Sequence, residues 1–405
     1  MKKEITYTAI DGRSTGYLGL LGGLGALILL GLLSAHHMET EGHWVTGMTD
    51  QIVWGMPHVF AVFLIVAASG ALNVASIGSV FNKKLYKPLA PLSALLAIAL
   101  LVGGLMVLVL DLGRPDRLIV AMTHYNFKSI FAWNIILYNG FLAIVAVYLW
   151  FMMEKKMKRY SHYAGYTAFV WRLILTTGTG SIFGWLVARQ AYDAAIFAPM
   201  FIVMSFSFGL AIYLMVLMAA YKWGERPLGD VVVNRLKNLL GVFAAGVLYF
   251  LMVYHLTNLY ATEHHGVEGF ILAGNNIYST LFWWVMVVLG NIVPMILLWG
   301  FGKSRSAIVA ACALIVLGGL ATMYVIIIGG QAYPLVLFPG AEVSSSFNDG
   351  VVNSYSPTIW EFLLGLGGVA FALALVAVAI KLLRFLPVSL ADAEVDPHHG
   401  IKADA

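Results

Sequence analysis

The stretch Ala90 to Leu110, APLSALLAIALLVGGLMVLVL, runs without a charge into Asp111-Leu112-Gly113-Arg114-Pro115-Asp116-Arg117. An α-helix rises about 1.5 Å per residue, so an apolar run of this length crosses a hydrocarbon layer roughly 30 Å thick. Two acids and two guanidiniums then stand where the helix meets water. Ionisable groups are costly near lipid, so this stretch marks a site or a structural clamp.

The rest of the chain extends the pattern. Its 405 residues are 60% hydrophobic and 11% charged, which excludes a water-soluble fold. Ten apolar spans emerge: Tyr17 to Ala35, Pro57 to Val80, Ala90 to Leu110, Ile130 to Met152, Tyr166 to Ala188, Pro199 to Tyr221, Leu240 to Tyr260, Tyr278 to Phe301, Ala307 to Gly329 and Ile359 to Leu383. The fold class is therefore an all-α integral membrane protein. The first span follows a polar leader without a convincing cleavage site and reads as a retained helix. The single Cys312 excludes a disulfide framework and an intrinsic iron–sulfur cluster, which needs several thiolates.

Charge distribution sets the expected orientation. Lys2, Lys3 and Arg13, then Lys83, Lys84 and Lys87, then Lys155, Lys156, Lys158 and Arg159, then Lys222, Arg226, Arg235 and Lys237, then Lys303 and Arg305, then Lys381, Arg384 and Lys402 all fall on one side. Arg114, Arg117, Lys128 and Arg189 fall on the other, and Arg172 lies within a span. The positive-inside rule then puts both termini in the cytoplasm of a multi-pass protein of the cytoplasmic membrane. The outer face collects acids and most histidines, including His36, His37, His43, His58, His255, His264 and His265. Histidine titrates near neutral pH, so proton exchange is expected on that face.

Several residues stand out as candidates. Pro57 suits the start of a helix, which puts His58 in the first turn, where the dipole disfavours imidazolium and keeps a neutral, proton-accepting ring. Asp111 ends the third span, where negative charge is unfavourable by roughly 0.3–1 kcal/mol and needs a partner. Arg114 is the nearest cation, and the pair reads either as a proton relay or as a clamp on the turn. Arg172, about six residues or roughly 9 Å into its span, reads as snorkelling to the cytoplasmic surface or as an interior proton-path element. His255 and Asn258 share a helix face and read as a satisfied hydrogen bond or part of a second cavity. The loop Gln331 to Thr358, with Tyr333-Pro334, Phe338-Pro339-Gly340 and Ser344-Ser345-Ser346, reads as a lid or docking surface, or as plain loop.

Asp111-Leu112-Gly113-Arg114-Pro115-Asp116-Arg117 after the third span, with Pro57-His58 opening the second, resembles the NrfD/polysulfide-reductase membrane-subunit family. The run Val66-Ala67-Ala68-Ser69-Gly70-Ala71-Leu72-Asn73 and the 331–350 segment are similar to its DsrP branch, which serves dissimilatory sulfur metabolism. The resemblance implies two four-helix bundles, spans two to five (57–188) and six to nine (199–329), with a flanking helix at each end. It also implies a quinone, menaquinone or ubiquinone, held by the first bundle near the outer face. His58 would accept a proton, Asp111 would pass it outward and Arg114 would balance Asp111. The partners would be a ferredoxin-like iron–sulfur subunit on the outer face and further membrane and cytochrome subunits, without which the chain would not turn over. No haem, metal or nucleic acid is expected. Thr176-Thr177-Gly178 stands where some relatives carry Tyr-Thr-Gly, whose tyrosine helps bind quinone, so these threonines are candidate contacts. Arg172 and His255 are candidates for a proton path.

Two other classes compete. A di-haem cytochrome needs paired axial histidines on facing helices, and only His58 and His255 lie suitably. A secondary transporter fits ten spans with a few interior polar groups. Metal sites from His36, His37, Glu39 and His43, or from Glu263, His264, His265 and Glu268, have loose spacing.

Overall fold

The computed structural model describes residues 5–335 and 350–396. Lys2, Lys3, Lys402, Phe338-Pro339-Gly340 and Ser344-Ser345-Ser346 lie outside the described residues, so the loop reading is carried by its two ends alone. Ten long helices cross the structure: α1 (Thr15–Glu41), α2 (Met56–Ser79), α3 (Ala90–Leu110), α4 (Ile130–Met153), α5 (Ser161–Gly184), α6 (Phe197–Trp223), α7 (Asp230–Tyr260), α8 (Ile277–Gly300), α9 (Arg305–Ala332) and α10 (Ile359–Leu382). Among the described residues, nine of them are long and apolar enough to cross a membrane. The other, α5, has the length, at 24 residues, but is diluted by Arg172 and a run of Thr, Gly and Ser.

Helices α2 to α5 pack in chain order, and α5 returns onto α2. Helices α6 to α9 do the same, with α9 returning onto α6. The two rings meet where α2 lies on α6. Gly70 and Gly209 permit this crossing: a Cβ on Gly70 would run into the carbonyl of Ser205, and one on Gly209 into the backbone at Gly70 and Ala71. Small residues let membrane helices approach this closely and gain dispersion contact that lipid cannot provide. The flanking helices α1 and α10 do not sit at opposite ends of the molecule. They pair with each other, and α10 lies against α3 and α2.

Helix α2 is interrupted at Leu72. The Ser93 hydroxyl donates to the Ala71 carbonyl (2.7 Å) and accepts from the Ala75 amide (3.0 Å), replacing the bond these two groups would make with each other. A side chain inserted into the ladder in this way breaks a helix without exposing its polar groups. In α8 the helix widens into a π-helical stretch, Leu281–Ile292, in which Asn291 Nδ2 donates to the Met286 carbonyl (2.8 Å).

One rim gathers the first and last described segments. Strand β1 (Tyr7–Thr8) pairs antiparallel with β2 (Leu386–Pro387), and Arg226, just past α6, donates to carbonyls of both strands. Arg305 and Asp230, which begin α9 and α7, form an ion pair at 2.7 Å on the same rim. The opposite rim receives the start of α2, the end of α3, the end of α7 and the start of α10; we call it the histidine rim.

Candidate functional site

Two helix ends build the centre of the histidine rim. Gly55 caps α2, Pro57 lies in its first turn, and His58 follows within that turn. Asp111 caps the far end of α3. Because α2 and α3 are antiparallel neighbours, the two side chains meet: His58 Nδ1 lies 3.1 Å from Asp111 Oδ2. The carboxylate is withdrawn from solvent, its side chain 1% exposed, while the imidazole is 23% exposed. His43 completes the group, with Nε2 on the Asp111 carbonyl at 2.9 Å and 4.0 Å from Oδ1. The approach of His58 is close but off the line of its ring N–H, so His58 Nδ1 and both Asp111 oxygens are buried without an aligned hydrogen-bond partner. Buried polar groups of native proteins are nearly always paired, and such exceptions concentrate where chemistry is done.

The expected Asp111–Arg114 pair is not formed. Arg114 turns outward and makes a two-pronged ion pair with Asp116, both bonds 3.1 Å, on the exposed surface. Gly113 and Pro115 cause this by ending the helix, which carries Arg114 away from α3 and toward its near neighbour. The guanidinium holds the Asp116 carboxyl below its usual range, and Asp116 holds Arg114 above its own. The groups left beside the Asp111 carboxylate are the imidazoles of His58 and His43.

Aromatic rings wall the pair. Trp54 stacks on His58 at 6.3 Å between centroids and meets Phe131 of α4 and Phe183 of α5, each at 6.0 Å. All four helices of the first ring thus contribute to the niche. The segment before α2 is pinned from behind. Gln331 at the end of α9 accepts from the amides of Val53 and Trp54 (3.0 Å each) and donates to the Trp54 carbonyl. Arg189 donates to the carbonyls of Gln331 and Gln51, and burial pulls its guanidinium below the usual range. Glu361, fully buried at the start of α10, accepts from Gly47 N (2.8 Å), Thr358 N (2.9 Å) and the Tyr355 hydroxyl (2.6 Å). Tyr355 in turn accepts from the Met56 amide (2.7 Å), two residues before His58. Burial, reinforced by Glu361, pushes the Tyr355 phenol well above its usual range and keeps it a donor. Gly55 is required here, because any Cβ would strike Glu361 and Tyr355.

Sequence reasoning missed His43, Trp54, Gln331, Arg189 and Glu361 as parts of this site. The pattern Thr358-x-x-Glu361 is a readable capping box, and the structure forms it; its second task, holding the loop of another helix, leaves no local signal.

Arg172 is not at a rim. Helix α5 begins at Ser161, so Arg172 lies about 16 Å along it at ~1.5 Å per residue and cannot snorkel. It is 1% exposed, donating to the Ser69 carbonyl (3.2 Å) and Asn73 Oδ1 (2.9 Å), between the faces of Phe169 and Phe206. Thr176 joins this cluster through Ser69 Oγ (2.6 Å). Ser69 lies roughly 16 Å along α2 from His58, so Thr176 belongs with Arg172 and away from the His58 niche. Thr177 is exposed on the outside of α5. Neither threonine meets His58; Phe183 on the last turn of α5 faces the niche instead.

His255 lies in the second ring, with Nδ1 on Glu268 Oε2 (2.7 Å), while Asn258 donates to the other oxygen (2.8 Å). His58 and His255 therefore belong to different rings, each turned to its own carboxylate, and do not face one another as a haem pair must. The outer histidines also disperse: His37 lies on Trp360, and His43 turns to Asp111. Among the described residues no group of three or more His, Cys, Asp or Glu side chains is placed to hold a metal ion.

A polytopic helical protein with an unsatisfied histidine–carboxylate pair between two helix ends is the class that fold and site define. The model of the family described as "Polysulphide reductase, NrfD" matches residues 44–334, and the chain belongs to that family. It is 27% identical over 388 residues to the "Hdr-like menaquinol oxidoreductase integral membrane subunit" of Archaeoglobus fulgidus, covering 95% of this chain and 97% of the relative. It is 24% identical to a selenate reductase subunit of Mesobacillus selenatarsenatis, covering 93% and 96%. With "Protein NrfD" of Escherichia coli it shares 24% identity over 70% of this chain and 96% of the relative.

Proposed function

We propose that this protein is the quinone-reactive membrane subunit of an electron-transfer complex, with the quinone head group at the histidine rim beside His58. The observation that carries this reading is the group of orphaned buried atoms, His58 Nδ1 and both Asp111 oxygens, under an aromatic wall. The donor set fits a quinone: an imidazole for a ring oxygen and flat aromatic faces for a flat head. A bound quinol supplies two electrons and two protons.

The chain's own residues handle the protons. With Nδ1 held toward Asp111, the other nitrogen, Nε2, is left to accept from a hydroxyl. The buried carboxylate then stabilises the imidazolium that forms. A small rotation of the His58 ring would bring its N–H onto Oδ2, 3.1 Å away. Asp111 passes the proton on through the solvent-exposed side of the pair. Trp54 and the loop pinned by Gln331, Tyr355 and Glu361 fix where the imidazole stands.

The electrons leave, in our reading, to an iron–sulfur subunit docked on the same rim, with further membrane and cytochrome subunits completing the complex. The histidine rim is then extracytoplasmic, both termini are cytoplasmic, the membrane is the cytoplasmic one, and menaquinone is the favoured quinone because of the archaeal relative's name. Dissimilatory sulfur metabolism is the setting we favour, from the resemblance of the 66–73 run to the DsrP branch. Arg172 is proposed as an interior element through which proton movement is coupled, and the His255–Glu268 pair, with both carboxylate oxygens engaged, as a fastening. The deciding experiment is menaquinol-linked electron transfer in membranes carrying His58→Ala. Loss of turnover by at least 100-fold with normal amounts of assembled protein supports the reading, since a positioned base contributes about 10²–10⁴; undiminished turnover rejects it.

A further inference from the structure

A large cavity among the described residues lies on the other side of α2 from the histidine pair. It has a volume of about 650 Å³ and lies between the α1/α10 pair and helices α2, α6 and α9. Its walls are helical stripes: Leu366, Val369 and Leu373 on α10, Met215 and Ala219 on α6, and Leu20 on α1. From Leu366 to Ile380 the wall runs about 21 Å at ~1.5 Å per residue, longer than half the ~30 Å hydrocarbon layer. Phe60 lines its inner end, and at about 100° per residue it points to the opposite side of α2 from His58. The body of the cavity is apolar. Its mouth, at the rim of the β1–β2 pair, is polar, formed by Asp11, Arg13, Glu225 and Arg226.

We infer that this cavity is a binding site for a membrane phospholipid, its acyl chain in the slot and its phosphate at the mouth. The amphiphilic layout matches such a molecule end for end. Charge favours phospholipid over a second quinone. Arg13 is 87% exposed and held only by an equally exposed Asp11 at 3.5 Å. The Lys381 ammonium lies 5.5 Å from the Tyr17 ring, beside the same mouth. A phosphate uses these cations, whereas a quinone head has no charge to offer them. Such a lipid would act as a wedge between the flanking pair and the two rings.

The test is phospholipid phosphorus per chain, with the lipids identified by mass spectrometry, after the full-length protein in detergent is washed exhaustively. Wild type should retain about one phospholipid per chain. Leu373→Trp, which fills the slot, should lower this at least fivefold. Arg13→Glu, which leaves the helices untouched, should lower it at least threefold. Quinone-linked turnover should stay within twofold in both variants, because neither residue touches the histidine rim. No retained phospholipid in wild type, equal retention in all three proteins, or a quinone as the retained species would each overturn the inference.

Discussion

On one rim, two buried carboxylates each meet a histidine, Asp111 with His58 and Glu268 with His255, and they differ in what is left over. In the second ring Glu268 is fully buried and both its oxygens are used, one by His255 and one by Asn258. In the first ring Asp111 is as withdrawn, yet neither of its oxygens has an aligned donor, and its histidine reaches solvent. A satisfied buried network rigidifies, whereas an incomplete one keeps hydrogen-bonding capacity for a ligand. In the proposed reading, the same two functional groups serve as a fastening in one place and as a reactive centre in the other.

That contrast can be broken in order of expected effect. His58→Ala should remove quinone-linked transfer, measured as turnover in membranes, while the protein still accumulates. Glu268→Ala should do the reverse, destabilising the fold by about 3–5 kcal/mol because it leaves His255 and Asn258 buried without their partner. Thermal unfolding of the purified protein would register this, and turnover per surviving molecule should hold. Equal activity losses per molecule in both variants would erase the distinction. Asp111→Asn should slow turnover by about 10-fold or more with normal assembly, since the amide keeps the shape but cannot stabilise imidazolium. Tyr355→Phe strands the Met56 amide and one Glu361 oxygen, costing about 1–3 kcal/mol of stability. It should also lower turnover several-fold, a loss seen in kinetics on protein matched for amount. Thr177→Val, on the outside of α5, should change neither.

The ten helices were legible because apolar length is a local property, and most boundaries fell within a few residues. The larger misses share one cause. Helix α7 begins at Asp230, ten residues before the apolar run, and α5 begins at Ser161, five before. Both extensions are polar helix that apolar length does not register, and the second concealed how deep Arg172 lies. The site was half legible. His58 and Asp111 stand out because each is an ionisable group at a helix end, but the partner of Asp111 was sought three residues away, when it came from another helix. Contacts such as Glu361 to Gly47 or Gln331 to Trp54 span hundreds of residues and have no signature in the chain between them.

The central claim is that the quinone head group sits at the histidine rim. A cryo-EM map of the intact complex purified with menaquinone tests it most directly. The account requires head-group density within hydrogen-bond distance of His58, under Trp54. Density for that head group at the opposite rim, beside Arg13 and Arg226, would contradict it.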